Sequence, residues 1–301
     1  MRKEQTAFCT IVTLDHLDMA RATMESIRTT ADHPEAYDFH ILVVDRDYME
    51  SHSGQFYSLM GYANLDLGEF RNQVEVKKET GLRTSLRWLL KPFLLKHLLT
   101  DYRRAFWVDP DLYFYNDFSS IVRLLDNHPF VLSPQWKCFD PRVNPQDFPR
   151  NFYHGLFNGG FFGSSSEGIA ILNQWINMML WRLEQNRALG LFDDQGYMGL
   201  FNLIDEKTHF IKHRGINLAS WNRYECKRGS DKNGEVRING EYEVVFIHFT
   251  KDTIKYILNG EDKLLRPHLK QYLDHILRHD PDLKELKSHK VKKIERKLAS
   301  Y

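Results

Sequence analysis

The chain has 301 residues, 42% of them hydrophobic and 27% charged, an ordinary balance for a globular protein that buries a full core. Its formal net charge of +1 excludes a global field for gripping nucleic acid, so a polyphosphate partner has to be met by local groups. Cys9, Cys138 and Cys226 lie far apart and form no CxxC pair, which excludes a disulfide framework and a cysteine zinc site, and no stretch approaches the roughly 18 apolar residues of a membrane span.

The basic start and short apolar run of MRKEQTAFCTIVTLDH end at Asp15 without a cleavage pattern, so 7–14 is predicted as a buried first strand and the protein is expected in the cytoplasm. His16 to Ile27 follows as a helix with Leu17, Ala20, Met24 and Ile27 on one face. FHILVVD (39–45) is a second strand ending in Asp45. A polar, glycine-containing region leads to a helical pattern over 81–99, which Pro92 is expected to kink or divide. RAFWVD (104–109) is a third strand with a carboxylate at its end. This alternation predicts an α/β fold with a mainly parallel sheet flanked by helices, whose ligands gather at the carboxyl ends of the strands. Further strands are expected at 129–133, 157–163 and 243–249, with a long helix over about 167–189 carrying Ile171, Trp175, Met178, Met179 and Trp181. Residues 1–262 are expected as one domain, with a nucleotide-binding half (1–120) and an acceptor-side half (121–262). A helical, basic tail (263–301) completes the chain.

Asp109-Pro110-Asp111 is the constellation with the most chemistry in it. Two carboxylates at i and i+2 on extended backbone point to one side and can approach one hard cation, for which oxygen ligands suit Mg²⁺ or Mn²⁺. A strand end followed by an acidic turn is the alternative on these residues alone. His248, after the apolar run VVFI, reads either as a ligand or as a satisfied core histidine.

RAFWVDPDLYFYNDFSSI resembles the region around the Asp-x-Asp motif of nucleotide-sugar glycosyltransferases of the GT-A fold. The similarity is to the glycogenin-like and lipopolysaccharide galactosyltransferase-like group with its bacterial polysaccharide relatives. FCTIVTLDHLDMARATMESI is similar to that group's opening strand and helix, LLKPFLL to the helix upstream of the motif, and FNGGFFG to its Asn-x-Gly strand. FDDQGYMGLFNLI resembles its Asp-Gln helix start, and VVFIHFT the late strand bearing the third metal ligand. The resemblance spans roughly 7–256. It implies a Rossmann-like GT-A fold, metal ligands Asp109, Asp111 and His248, and Thr13, Asp15 and Asp45 near base and ribose. It also implies Lys91, Asn158 and Gly159 at the donor, with Asp194 (or Asp193) and Gln195 beside the transferred sugar. The chain departs from the group after His248: HFTKDTIKY has Lys251 at the glycine position and lacks Pro-Trp, so Lys251 or Lys255 is the candidate cation for the diphosphate.

The implied reaction is metal-dependent transfer of a sugar from a nucleoside-diphosphate sugar, UDP-sugar favoured, to a saccharide or glycolipid acceptor in surface polysaccharide synthesis, with retention favoured. Imidazole ligation mildly favours Mn²⁺. His213, Asn217, Trp221 and Asn222 are loop groups that could meet sugars, and Asp140 to Asn151 could form part of the acceptor cleft. The basic, amphipathic pattern over 283–298 is a candidate for peripheral contact with an anionic membrane. Two other classes compete. A nucleotidyltransferase needs a glycine-rich, basic loop after the first strand, where this chain has TLDHLDMAR. A non-catalytic saccharide binder has no need of the carboxylate pair.

Overall fold

The computed structural model describes residues 3–45, 56–80 and 83–279; the basic segment 283–298 lies outside them. In chain order the strands are β1 (Lys3–Val12), β2 (Tyr37–Val43), β3 (Tyr57–Gly61), β4 (Tyr102–Val108), β5 (Leu112–Phe114), β6 (Phe130–Pro134), β7 (Phe157–Ser165), β8 (His209–Phe210) and β9 (Phe246–His248). The main helices are α1 (Leu17–Thr30), α2 (Arg71–Thr80), α3 (Arg83–Leu98), α4 (Ile169–Trp181), α5 (Lys251–Leu258) and α6 (Arg266–His279). A seven-stranded sheet has the order β8-β6-β7-β4-β1-β2-β3. Its pairs are parallel except where β7 runs antiparallel to both β4 and β6. The expected mainly parallel α/β sheet is therefore present.

The period of two along each strand sorts the core. Ala7, Cys9 and Ile11 of β1 and Trp107 of β4 face one cluster, with Leu90 and Leu94 of α3 and Trp175 of α4. Phe8, Val12, Phe106 and Val108 face the other, where Leu17, Ala20, Met24 and Ile27 of α1 are buried as their spacing predicted. A third cluster joins Ile247, Phe249, Ile257 of α5 and Leu269 and Tyr272 of α6. Among the described residues no helix is long and apolar enough to cross a membrane.

Two expectations are corrected and one is narrowed. Of the kink or division expected at Pro92, the division does not occur: α3 runs through it. One missing backbone bond is outweighed by the burial of Leu89, Leu90, Phe93, Leu94 and Leu95 around it. The helix expected to reach residue 189 ends at Trp181, where Arg182 turns extended and its carbonyl accepts a hydrogen bond from the Tyr197 hydroxyl. Trp181 is accordingly exposed instead of joining the buried face. The region read only as polar contains β3 and α2, and an unforeseen three-stranded antiparallel sheet occupies Arg228–Ser230, Val236–Ile238 and Tyr242–Glu243.

His40 of β2 lies between the Ser58 hydroxyl (2.9 Å) and the Tyr102 hydroxyl (3.1 Å), and burial pushes its imidazole down to about 4. A folded value below the unfolded one makes the contribution complete above the unfolded pKa and lost as pH falls towards 4. Between pH 6.5 and 5 the native chain should lose about 1–2 kcal/mol through this group. His40→Asn should flatten the fall of Tm with acid; an unchanged slope would remove His40 as its source.

Candidate metal centre and clefts

β4 and β7 lie side by side, and the ladder continues one residue beyond the strand: the Asp109 N–H donates to the Gly160 carbonyl at 2.8 Å. The chain then turns. Leu112 N–H returns to the Asp109 carbonyl (3.1 Å), with Pro110 at the turn position its fixed φ suits. The expectation of extended Asp-Pro-Asp backbone is thus corrected to a tight turn, and the Thr23 hydroxyl of α1 clamps it through the carbonyls of Pro110 (2.6 Å) and Leu112 (2.8 Å). β5 next pairs antiparallel with β9, setting His248 opposite Leu112, and Phe249 N–H donates to the Asp111 carbonyl at 2.8 Å. Two segments far apart in sequence are so locked together at backbone level.

As a result His248 Nε2 lies 3.0 Å from Asp111 Oδ1 and 3.8 Å from Asp109 Oδ2. One ligand atom from each of the three residues falls within 4.8 Å of the others. Burial opposes charge on both Asp111 and His248. Yet each favours the other's ionised form: the Asp111 carboxyl is held below its ordinary value and the imidazole above its own.

The other ring nitrogen decides whether the trio fits a metal. Asn217 Nδ2 donates to Ser133 Oγ (3.0 Å) and to Asn158 Oδ1 (3.1 Å), the latter fixed as an acceptor by the Gly160 N–H at 3.0 Å. Asn217 must therefore turn its carbonyl oxygen to His248 Nδ1, 3.1 Å away. Nδ1 therefore carries a proton, which leaves Nε2, facing the carboxylates, as the nitrogen that would ligate an ion in place of its own proton. Asn217 has a left-handed φ of 51° and its backbone carbonyl accepts from Asn222 Nδ2 at 2.8 Å. Both asparagines are fully buried, so the expectation that they could meet sugar is corrected: Asn217 orients the histidine and Asn222 holds Asn217. Gly160 is required here as well. A Cβ on it would sit 2.6 Å from His248 Cε1 and 3.1 Å from Asp109 Oδ2. Asn217→Ala is expected to cut Mn²⁺ affinity by about 10–100-fold, measured by titration calorimetry, because the imidazole loses its orientation. Unchanged affinity would show that the hydrogen bond does not set the ligand.

On the same face of the sheet Lys91 of α3 is buried over the Trp107 ring, 5.0 Å from its centroid. Its Nζ reaches Asp194 Oδ2 (2.8 Å), the Gly159 carbonyl (2.8 Å) and Asp109 Oδ1 (3.6 Å), while Trp107 Nε1 donates to Asp109 Oδ1 at 2.9 Å. Burial lifts the Asp194 carboxyl above its ordinary value, with Lys91 only partly restoring it. Asp193, with φ 46°, points away to the Gln185 amide; Asp194 is the one that faces Lys91. Gln195 Oε1 accepts from Gly159 N–H at 3.2 Å, and its Nε2 donates to the His154 carbonyl at 2.9 Å. Asn158, Gly159, Asp194, Gln195 and Lys91 thus form one connected group beside the carboxylate pair.

One cleft opens from this centre and a second lies next to it. The first, of about 910 Å³, is lined by Asp15, His16, Arg87, Lys91, the Asp109 to Asp111 turn and Lys251, with Tyr272 and Ile276 of α6 on its apolar side. Arg87 was not singled out in the sequence, though it stands four residues before Lys91, a spacing that shares a helix face. Thr13 and Asp45 shape the entrance from outside the lining. The Thr13 hydroxyl donates to Asp15, and Asp45 accepts from Leu14 N–H at 2.9 Å. The second cleft, about 430 Å³, lies against Trp221, His154 and Lys137 and takes Lys255. The two candidate lysines are thus separated: Lys251 faces the first cleft and Lys255 the second.

No protein-family model and no curated protein sequence matches the chain. Solved structures do. The galactosyltransferase LgtC in complex with donor and acceptor sugar analogues aligns with a TM-score of 0.51 at 12% identity, over 86% of this chain and 94% of that one. An active-site mutant of LgtC, glutamine to glutamate, aligns at 0.50 with 13% identity over the same shares. The bifunctional glycosyltransferase WbbM aligns at 0.54 with 11% identity, over 98% of this chain but only 52% of its own, so this chain spans about half of WbbM. At such identities the likeness shows the fold.

Proposed function

We propose that this chain, which carries the fold of the GT-A glycosyltransferases, is itself a metal-dependent glycosyltransferase that moves a sugar from a nucleoside-diphosphate sugar to a saccharide or glycolipid acceptor. The observation that carries the reading is the convergence of Asp109, Asp111 and His248 Nε2, the ring held through Nδ1 by Asn217, beside a cleft that Arg87, Lys91 and Lys251 line. Asp109, Asp111 and His248 would hold Mn²⁺ or Mg²⁺, which when bound neutralises the charge of a departing diphosphate.

The chain's own groups do the rest. Asp15 at the cleft rim, with Thr13 and Asp45 bracing the loop, meets base and ribose; Lys251, at the first turn of α5, and Arg87 meet phosphate oxygens. Asn158 and Gly159 line the donor sugar, and Asp194, held by Lys91, accepts its hydroxyls. Gln195 stands at the reacting carbon, its amide fixed between Gly159 N–H and the His154 carbonyl. That the mutated active-site residue of LgtC is a glutamine supports this placement. Retention of configuration is favoured by the resemblance of the motifs to a retaining group. A UDP-sugar donor and a place in surface polysaccharide synthesis follow from the resemblance of the motifs. The test is titration of UDP with and without Mn²⁺, followed by a donor-hydrolysis screen. Binding that needs the ion, with release of sugar from one donor, is expected; metal-independent binding, or none, overturns the proposal.

A further inference from the structure

The second cleft adjoins the proposed sugar-transfer centre on two sides. Trp221 on its wall meets the His248 ring edge-on, with centroids 5.4 Å apart, and the carbonyl of His154 on its rim is the acceptor for Gln195. Gln195 itself lines neither cleft, and this one is joined to it through His154. What the cleft would recognise is written in Lys137. Its side chain is only 2% exposed, yet the one acceptor it finds among the described residues is Gln135 Oε1. The Gln135 amide nitrogen is committed to the carbonyls of His154, Gly155 and Phe157, so it holds its oxygen towards the lysine. An ammonium has three donors, and among the described residues two here have no acceptor. A buried cation is kept in such a place at a cost unless something completes its shell.

The neighbours do not complete it. Arg150 also lines the cleft and shares Asp147 at 3.4 Å, a single carboxylate already accepting from the Cys138 N–H. Trp136, between Gln135 and Lys137, is held at a left-handed φ of 48° beneath the Arg214 guanidinium, 3.4 Å from the ring centroid. Burial pushes the Lys137 ammonium down to about 7, with Asp147 opposing and Arg150 adding to the shift; His154 is pushed down to about 4 by burial and then by Lys137 and Arg150. The lining of the cleft sets Lys137, Arg150, Arg223 and Lys255 against two carboxylates, Asp147 and Asp252, an excess of basic side chains.

We infer that this cleft receives an acidic saccharide, its carboxylate or phosphate seated between Lys137 and Arg150 and its ring face against Trp221. The inference rests on the glycosyltransferase reading and names the acceptor class within it. An anion there supplies the missing acceptors and relieves the repulsion, and the aromatic wall packs against the apolar face of a pyranose.

The experiment is calorimetric or NMR titration of the full chain, in EDTA, with glucuronic acid, glucose 6-phosphate and glucose as probes. At least one acidic probe should bind about tenfold or more tightly than glucose, and which one does so distinguishes carboxylate from phosphate. Arg150→Gln, at a half-exposed side chain, and Lys137→Met should each reduce that preference; Arg150→Gln keeps the test valid should the buried substitution prevent folding. Equal binding of all three probes by the native protein overturns the inference, as does a preference that survives both substitutions. UDP titration with Mn²⁺ on the same sample reports on the donor cleft separately. Metal-dependent UDP binding without acidic preference sinks this inference alone, whereas loss of UDP binding sinks the transferase reading.

Discussion

Asp111→Ala is expected to lower Mn²⁺-dependent donor turnover by about 10³-fold or more, with the chain still folded. The backbone at this position is held by groups other than the side chain. The Phe249 N–H donates to the Asp111 carbonyl, and the turn is closed by Leu112 N–H and clamped by Thr23. The carboxylate itself is a quarter exposed, so truncation leaves little cavity. What it removes is the oxygen 3.0 Å from His248 Nε2, leaving Asp109 and one imidazole, too few ligands to hold a divalent ion against water. Asp111→Asn separates charge from shape: it keeps the volume and one oxygen and should still fail. Mn²⁺ with UDP should raise the Tm of the native chain by mass action and leave both variants unmoved. Near-normal turnover in Asp111→Ala, with its melting curve unchanged, would defeat the site assignment.

The parts of this geometry that could be read from the sequence are those encoded by local pattern. The apolar runs of β1, β2 and β4 and the one-sided spacing of Leu17, Ala20, Met24 and Ile27 specify a strand–helix–strand unit whatever lies elsewhere. Asp109 stands out because a carboxylate ending an apolar strand breaks the pattern, whereas His248 reads equally as a core histidine and becomes a candidate ligand only through the resemblance of its strand to the family's. Tertiary contact supplied the remainder. Asn217 reads as a loop asparagine, and only the fold reveals that its amide is spent on Ser133, Asn158 and His248. The end of α4 at Trp181 is set by a tyrosine sixteen residues further on, which no helix propensity records. The division of Lys251 and Lys255 between two clefts follows from the docking of α5, not from their spacing. Pro92 allows a kink or a division, and the division does not occur. Its local cost is real, but the apolar residues on either side belong to the core, and their burial decides.

Lys91→Met is expected to cost about 3–5 kcal/mol of stability, the largest effect of any single substitution near the site. The methionine fills similar volume and keeps the contact with Trp107, so packing is not what is lost. The loss is electrostatic. Asp194 is buried with its Oδ2 2.8 Å from the ammonium, and Asp109 and the Gly159 carbonyl depend on the same group. Removing one partner of a buried pair leaves the other charge without compensation, whereas removing both charges leaves none to compensate. Asp194→Asn in the Lys91→Met background should therefore restore much of the Tm that the single change removes. Turnover should not return with it, since neither the cation near the donor nor the carboxylate for the sugar is present. Chemical denaturation of the three variants and the native chain gives the coupling energy directly as a double-mutant cycle. A Lys91→Met chain as stable as the native one would mean that Asp194 is not ionised in the fold, and its proposed role as an acceptor for the sugar hydroxyls would fall.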